Sequence, residues 1–300
     1  MILNRKKLIT HDSSFHADDV FACATLCVLL EKKKQRFKII RTRDEKIIKK
    51  GDYVFDVGGI YDPEENRFDH HQKGGAGKRE NGIEYSSFGL IWKEFGEEVC
   101  GSQKVAQMVD HKLVAPIDAE DNGFSLIEKR HEVFPYLIQD VLTIFKPTSL
   151  EKMDMDEQFL KALEWAKEIL SREIKKASDQ IEITKIIQNF YKNSSDKRLI
   201  VIDTPKVSRY EIWDALQDFQ EPLFIIYGDN QDWSVVAMRK EINNFENRKD
   251  FPQAWSGLTG EEFQKISGVS DTIFCHRGLF LAGAKSKEGA IKLAELALNA

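Results

Sequence analysis

The segment Tyr53 to His71, YVFDVGGIYDPEENRFDHH, constrains this chain more than any other. It opens with a short apolar run, Val54 to Val57, that carries one carboxylate, Asp56, and stops at Gly58-Gly59. A carboxylate at the end of a buried strand is costly unless a metal or a dense set of hydrogen bonds compensates it. The segment closes on three adjacent ligand-type side chains, Asp69, His70 and His71. Taken alone, Asp56 capping a turn with two surface histidines explains the pattern as well as a metal does. Two histidines and a carboxylate become a metal signal only when other ligands converge on them.

Other ligands stand on both sides. Upstream, Leu8-Ile-Thr10 reads as a strand followed by His11, His16, Asp18 and Asp19; downstream, Asp118 and Asp121 close a helical run before Gly123. Three acid or histidine clusters, two of them at ends of expected strands, are the pattern of an α/β site assembled from loops at one edge of a sheet.

These residues carry a resemblance. The blocks Thr10-His-Asp-Ser-Ser-Phe-His-Ala-Asp18, Arg41-Thr-Arg-Asp44, Phe55 to Pro63, Arg67 to Gln72, Ser86 to Ile91 and Asp118 to Gly123 stand in the order of the DHH phosphoesterase superfamily. Within it the chain resembles the Myg-type (melanocyte-proliferating-gene-type) branch, metal-dependent 3′–5′ exonucleases acting on RNA. Phe251 to Leu258 and Ile273 to Gly283 extend the likeness almost to the C-terminus. The resemblance implies a two-domain α/β DHH phosphoesterase architecture. A mostly parallel N-terminal sheet with helices on both faces is joined by a helical connection to a smaller C-terminal α/β domain. The expected divisions are 1–150 for the metal-binding catalytic domain, 151–195 for the connector and 196–300 for the substrate-binding domain.

The residues themselves agree with that outline. Up to about 125 they alternate strand and helix: Leu8–Thr10, a helix from Ala17 to Lys34, Phe37–Arg43, then Tyr53–Val57. Alternation of this kind favours a mostly parallel sheet covered by helices. Ser86 and Ser87 suit the N-cap of a helix over Phe88–Val99, and a further helix is expected over Gln103–Val114. Residues 73–84, rich in glycine and charge, suggest a mobile loop beside the DHH triplet and do not spell a phosphate-binding P-loop. Residues 124–195 are expected to be largely helical. Strands resume at Arg198–Asp203, Pro222–Tyr227, Trp233–Arg239 and Ile273–His276, with helices over Tyr210–Phe219, capped by Ser208, and Lys287–Leu298.

Charge excludes one class of partner. Residues 1–147 hold 23 Lys/Arg against 24 Asp/Glu and the remainder 21 against 25, so neither half is the basic module that long duplex nucleic acid attracts. Bound divalent cations would add positive charge that this count misses. The four cysteines, at 23, 27, 100 and 275, form no C-x-x-C pair, and Cys23 and Cys27 fall in an apolar helical stripe as small buried hydrophobes. Free thiols, the lack of an apolar core in the first ten residues and the lack of any run of about 18 apolar residues suggest a cytoplasmic protein with no membrane span.

The chemistry follows from the ligand types. Two divalent cations roughly 3.5–4 Å apart would lower the pKa of bridging water and neutralise phosphoryl oxygens. Histidine plus carboxylate donors suit Mn²⁺, with Mg²⁺, Zn²⁺ or Co²⁺ possible. The superfamily resemblance implies one cation on His11, His16 and Asp56 and a second on Asp18, Asp56, His70 and an acid of the Asp118/Asp121 pair, with Asp56 bridging. Many DHH enzymes have an aspartate, one residue closer to the first histidine, where this chain has His16. Asp121 is preferred over Asp118 as the ligand. Asp69 would hold a histidine ring, and His71 would contact the scissile phosphate or act as acid. In the C-terminal domain Arg239, His276, Arg277 and Lys285, with backbone at Gly278 and Gly283, are implied substrate contacts. Trp233, Trp255 and Phe280 could stack bases, although core packing explains them as well. The expected function is a metal-dependent 3′–5′ exonuclease on single-stranded RNA or short oligonucleotides. The alternatives are a small-molecule phosphatase or pyrophosphatase and a non-catalytic metal- or nucleic-acid-binding protein.

Overall fold

A computed structural model describes residues 5–128, 131–204, 207–228, 232–241 and 244–300. The chain forms two compact units, residues 1–178 and 179–300. The first contains β1 (Lys6–Thr10), α1 (Ala17–Lys32), β2 (Phe37–Arg41), α2 (Glu45–Ile48), β3 (Tyr53–Phe55), β4 (Tyr61–Asp62) and β5 (Arg67–Phe68). It continues through α3 (Ser87–Cys100), α4 (Gln103–Val109), a π-helical turn over Asp110–Val114, α5 (Ala115–Asp121) and α6 (Ile138–Thr143). Helix α7 (Met155–Asn193) carries the chain across the boundary, so the segment 151–195 is essentially one helix shared by the two units.

The first sheet has the order β2-β1-β3-β5-β4. All its pairs are parallel except β4–β5, which is a tight antiparallel return. Side chains alternate across it. Ile9 and Val54 pack with Val57 and Ile48 of α2, while Tyr53 and Phe68 meet Phe95 of α3 edge-on at 5.9 and 5.7 Å. Helix α1 is buried on nearly every side, with the free thiols of Cys23 and Cys27 inside, and packs on α3. The consequence for function is positional. The C-terminal ends of the adjacent parallel strands β1, β3 and β5 deliver His11, Asp56 and the Asp69-His70-His71 triplet to one edge, where open α/β sheets gather their ligand groups.

Three local expectations differ from what is observed. The strand expected over Tyr53–Val57 ends at Phe55, because Asp56 takes a left-handed backbone conformation (φ +55°). The described residues of 124–137 form no helix: Gly123, at φ +68°, stops α5, and Pro135 opposes renewed helical pairing. Ser86 occupies the N-cap of α3, but its hydroxyl does not cap the helix. It donates to Asp118 Oδ1 at 2.5 Å, and that same oxygen accepts from the Gly89 amide at 3.0 Å.

In the second unit β6 (Leu199–Ile202), α8 (Arg209–Leu216), β7 (Phe224–Gly228), β8 (Trp233–Ala237), α9 (Gly260–Ser267), β9 (Thr272–Cys275), β10 (Leu281–Ala284) and α10 (Lys287–Asn299) follow in order. The sheet order is β6-β7-β8-β10-β9, parallel only between β6 and β7. Trp233 and Trp255 are buried in its core, which removes them as base-stacking surfaces.

The contact between α3 and α5 leaves no space at Gly89, where an added Cβ would lie 1.9 Å from Asp118 Oδ2. Gly89→Ala should therefore displace the carboxylate that caps α3 and destabilise the protein by about 2 kcal/mol, read as a lower urea midpoint with unchanged slope.

Candidate metal centre

Asp56 is the hub of the centre. It is buried, and its two oxygens face different histidines: Oδ2 lies 3.0 Å from His11 Nε2, and Oδ1 lies 3.4 Å from His70 Nε2. The left-handed backbone at Asp56 turns the carboxylate into this position, at a cost of order 1 kcal/mol. Ser87 Oγ donates to Oδ1 at 3.2 Å.

Around Asp56 the ligand types fall into three groups whose donor atoms lie within 4.8 Å of one another: His11, Asp19 and Asp56; His16, Asp18 and Asp121; and Asp56, His70 and His71. His70 links the second group to the hub, with Nε2 3.3 Å from Asp121 Oδ2 and 3.8 Å from Asp18 Oδ2. His16 stands with Asp18 and Asp121, whereas the resemblance groups it with His11 and Asp56; its ring centroid is 6.2 Å from that of His11.

Asp19 stands among the upstream acids of the sequence but outside the two cation sets that the resemblance implies, since an acid in the first turn of a helix is explained by the helix dipole. That explanation covers only half of it. Asp19 Oδ1 accepts from the His16 amide at 2.8 Å and caps α1, while Oδ2 faces His11 Nε2 at 3.4 Å. Its full burial, beside a partly exposed loop of ligands, was the signal that sequence could not supply.

The electrostatics show what the cluster lacks. Burial pushes Asp18 well above the usual carboxylate range, helped by the charges of Asp56 and Asp121. Burial likewise lifts Asp19 to about 7, and the Asp56 charge adds to it. Burial alone would raise Asp56 too, but the facing imidazoles of His11 and His70 hold it far below the ordinary value. Both oxygens of Asp18, Oδ2 of Asp19 and Nε2 of His70 are buried with no hydrogen-bond partner among the described residues. Buried acceptors without donors are tolerated where a cation supplies the missing charge. His11 supports the same reading: its Nδ1 pairs with the Asp12 carbonyl at 2.8 Å, directing Nε2 at two carboxylates. The donor set therefore fits divalent cations.

Within the DHH triplet the roles divide. Asp69 Oδ2 accepts from the Gly59 amide at 2.6 Å, and Oδ1 accepts from the His71 amide at 3.1 Å and lies 2.8 Å from His71 Nδ1. That hydrogen bond raises the His71 pKa and fixes the ring, leaving it largely exposed. Asp118 points elsewhere. It is fully buried between Ser86, the Gly89 amide and Arg79, whose Nη1 lies 2.5 Å from Oδ2. Arg79 also binds Asp110 and stacks 4.4 Å over Tyr85. These contacts anchor the glycine-rich loop at Arg79.

A cavity of about 1020 Å³ adjoins the centre, lined by His16, His70, His71 and Asp121 and walled by apolar side chains such as Leu113, Ile117 and Phe134. Its other polar lining includes Glu120 and Asp140, and Lys112, whose ammonium is paired with Glu173 at 2.6 Å.

The expected substrate contacts of the second unit are placed as follows. The Arg239 guanidinium lies 4.0 Å from the Trp213 ring centroid. His276, Arg277 and Gly278 form an exposed turn in which the Gly278 amide donates to His276 Nδ1 at 3.0 Å. Gly283 is buried in β10, where a Cβ would lie 3.0 Å from the Phe274 ring, so packing accounts for it. Lys285 is exposed, and its amide donates to the Asp271 carbonyl.

Two outcomes follow from this geometry. Asp18→Asn replaces a buried carboxylate that desolvation and the Asp56 and Asp121 charges disfavour, so the melting temperature in EDTA should rise by about 2 °C while the further rise on adding Mn²⁺ shrinks. Arg79→Leu leaves Asp118 buried without its cation and should cost about 3 kcal/mol at pH 8. Burial, opposed by Arg79, already raises Asp118 to about 6 in the folded protein, above its unfolded value. Stability tied to this group is therefore present at low pH and lost as pH rises through about 6. Denaturant titrations should accordingly show a smaller loss for Arg79→Leu at pH 5 than at pH 8.

Comparison with known proteins places the chain. The model of the MYG1_exonuc family, described as an uncharacterised protein family (UPF0160), matches residues 7–298. A MYG1 protein of Chlamydia pneumoniae is 31% identical over 296 residues, covering 97% of this chain and 96% of its own. The MYG1 protein C27H6.8 of Caenorhabditis elegans is 31% identical over 97% of this chain and 94% of its own. The human MYG1 exonuclease is 28% identical over 96% of this chain and 85% of its own. Among solved structures, RecJ of Thermus thermophilus in complex with Mn²⁺ overlaps 98% of this chain at 11% identity with a TM-score of 0.30, and the chain spans about half (52%) of that protein. By the family match and the near-complete coverage of these relatives, the chain belongs to the MYG1 exonuclease family and is an enzyme of the hydrolase class.

Proposed function

We propose that the protein is a dinuclear-metal phosphodiesterase that removes nucleotides from the 3′ end of single-stranded RNA or short oligonucleotides in the cytoplasm. The observation that carries this reading is Asp56, whose two oxygens face two separate histidines, His11 and His70, amid buried carboxylate oxygens that lack donors. His11, Asp19 and Asp56 would hold one cation; Asp56, Asp18, His70, Asp121 and His16 would hold the other. Histidine and carboxylate donors without thiolates favour Mn²⁺, with Mg²⁺, Zn²⁺ or Co²⁺ as substitutes. When bound, such a pair neutralises phosphoryl oxygens and lowers the pKa of a water between them.

The remaining work falls to the chain. Asp56 sets the two positions from one rigid point at the strand end. Asp69, held by the Gly59 amide, fixes the His71 ring so that Nε2 is directed away from Asp69, where it can meet a phosphate oxygen or protonate the leaving oxygen. Asp118 positions: it locks Arg79 and the start of α3, from which Ser87 reaches Asp56. Carboxylates of Glu120 and Asp140 in the adjoining cavity oppose a polyphosphate there, whereas its apolar walls suit the nucleoside part of a diester. This favours a nucleotide polymer over pyrophosphate.

The test is hydrolysis of a 5′-labelled single-stranded RNA, beside matched DNA and pyrophosphate, after EDTA treatment and Mn²⁺ add-back. The expected result is a Mn²⁺-restored ladder that shortens from the 3′ end, reduced more than ~100-fold in Asp56→Asn. Turnover of pyrophosphate with intact oligomers would replace this reading by a small-molecule phosphatase.

A further inference from the structure

Two candidate ligands meet the wall of the cavity at the start of α1. His16 occupies the N-cap, Ala17 begins the helix and Asp18 follows in its first turn. The first amides of a helix have no acceptor inside it and ordinarily take an oxygen from Ser, Thr, Asp or Asn at the N-cap. Here the N-cap residue is a histidine whose ring stands with Asp18 and Asp121. An imidazole facing that cluster is not the short oxygen-bearing cap that a helix start calls for.

The acceptor comes instead from a distant element. The Ala17 amide donates to Oε1 of Gln139, in the first turn of α6, at 2.7 Å and across 122 positions of sequence. Ala17 is buried, so solvent reaches this amide poorly. Gln139 is itself held in place. Leu142 of the same helix is fully buried, Asp140 Oδ2 accepts from the Leu137 amide at 2.8 Å, and Thr143 Oγ1 donates to the Gln139 carbonyl at 2.9 Å. Ala17 and Gln139 both line the cavity.

Helix stability does not account for this contact. Helix α1 is buried on nearly every side and packs on α3, so its persistence does not hang on one terminal amide. What that amide fixes is its own neighbours. Ala17 lies between His16 and Asp18, and both Asp18 oxygens are buried with no hydrogen-bond partner among the described residues. The backbone at the start of α1 therefore sets where that carboxylate points.

We propose that Gln139 is a positioning residue of the metal centre: by accepting from the Ala17 amide it fixes the turn of backbone that presents His16 and Asp18 to a divalent cation. The proposal rests on the metal-centre reading above and adds a residue that lies outside the ligand set and outside the sequence blocks that carry the resemblance.

The experiment uses the full chain, stripped with EDTA and desalted, and counts free Mn²⁺ during a titration by the electron paramagnetic resonance signal of the aquo ion. Gln139→Met keeps the length of the side chain without its acceptor and should bind Mn²⁺ about tenfold more weakly. Gln139→Glu keeps an acceptor and should bind at least as tightly as the wild type. Thr143→Val removes a hydrogen bond within α6 without touching Ala17 and should bind as the wild type does. Melting temperatures without metal show that each variant folds. Should Gln139→Met melt too low to titrate, Gln139→Asn, one methylene too short to reach Ala17, carries the same expectation. Equal loss in Thr143→Val, or Gln139→Glu as weak as Gln139→Met, would overturn the proposal. Tight binding by the wild type and Gln139→Met alike sinks this role alone, and a wild type that binds no Mn²⁺ sinks the metal-centre reading and the role with it.

Discussion

The candidate centre depends on one buried carboxylate that the fold itself leaves under-compensated. Asp56 sits at the end of a strand whose neighbours are apolar, in a backbone conformation that few non-glycine residues adopt, and it faces a histidine with each oxygen. Around it Asp18 and Asp19 are buried as deeply and lack donors for three of their four oxygens among the described residues. Such a concentration of acceptors opposes folding by desolvation and mutual repulsion, and cation binding reverses both effects. Local stability and metal affinity are therefore set against each other at these residues.

A second buried carboxylate solves the same physical problem differently. Asp118 is as inaccessible as Asp56, but its acceptor capacity is taken up by Ser86, the Gly89 amide and Arg79. It ties α5, the start of α3 and the glycine-rich loop into one frame, and that frame holds Ser87 against Asp56. Two aspartates three positions apart on one helix, Asp118 and Asp121, thus face different neighbours: one a structural lock, the other the ligand cluster.

Much of this was legible in the residues. The alternation of strand and helix over the first 125 positions, the parallel sheet it implies, the placing of ligand types at strand ends and the family resemblance all rest on local pattern, and the structure and the comparisons agree with them. The misreadings have specific causes. The strand expected to run through Asp56 to Val57 stops at Phe55, because an apolar run does not announce a left-handed residue at its end. Ser86 suits an N-cap and occupies one, but the carboxylate that takes its hydroxyl lies 32 positions away, beyond the reach of a local pattern. The helical expectation over 124–195 holds in α6 and α7 and fails in the described residues of 124–137, which follow Gly123 at φ +68° and contain Pro135.

Sequence by itself determined which chemistry is possible here. A strand-terminal aspartate, an Asp-His-His triplet and a His-rich strand-to-helix turn are short-range facts, and they limit the cluster to hard and borderline donors for divalent cations. Only the tertiary structure decided how those donors are shared out. It brought Asp19 to His11, set His16 with Asp18 and Asp121 and turned Asp118 away. In the second unit it set Arg239 over Trp213 and His276 against Phe280. Such groupings depend on distances of a few ångströms between residues tens of positions apart, and those distances are fixed by packing of helices on a sheet, which no local pattern encodes.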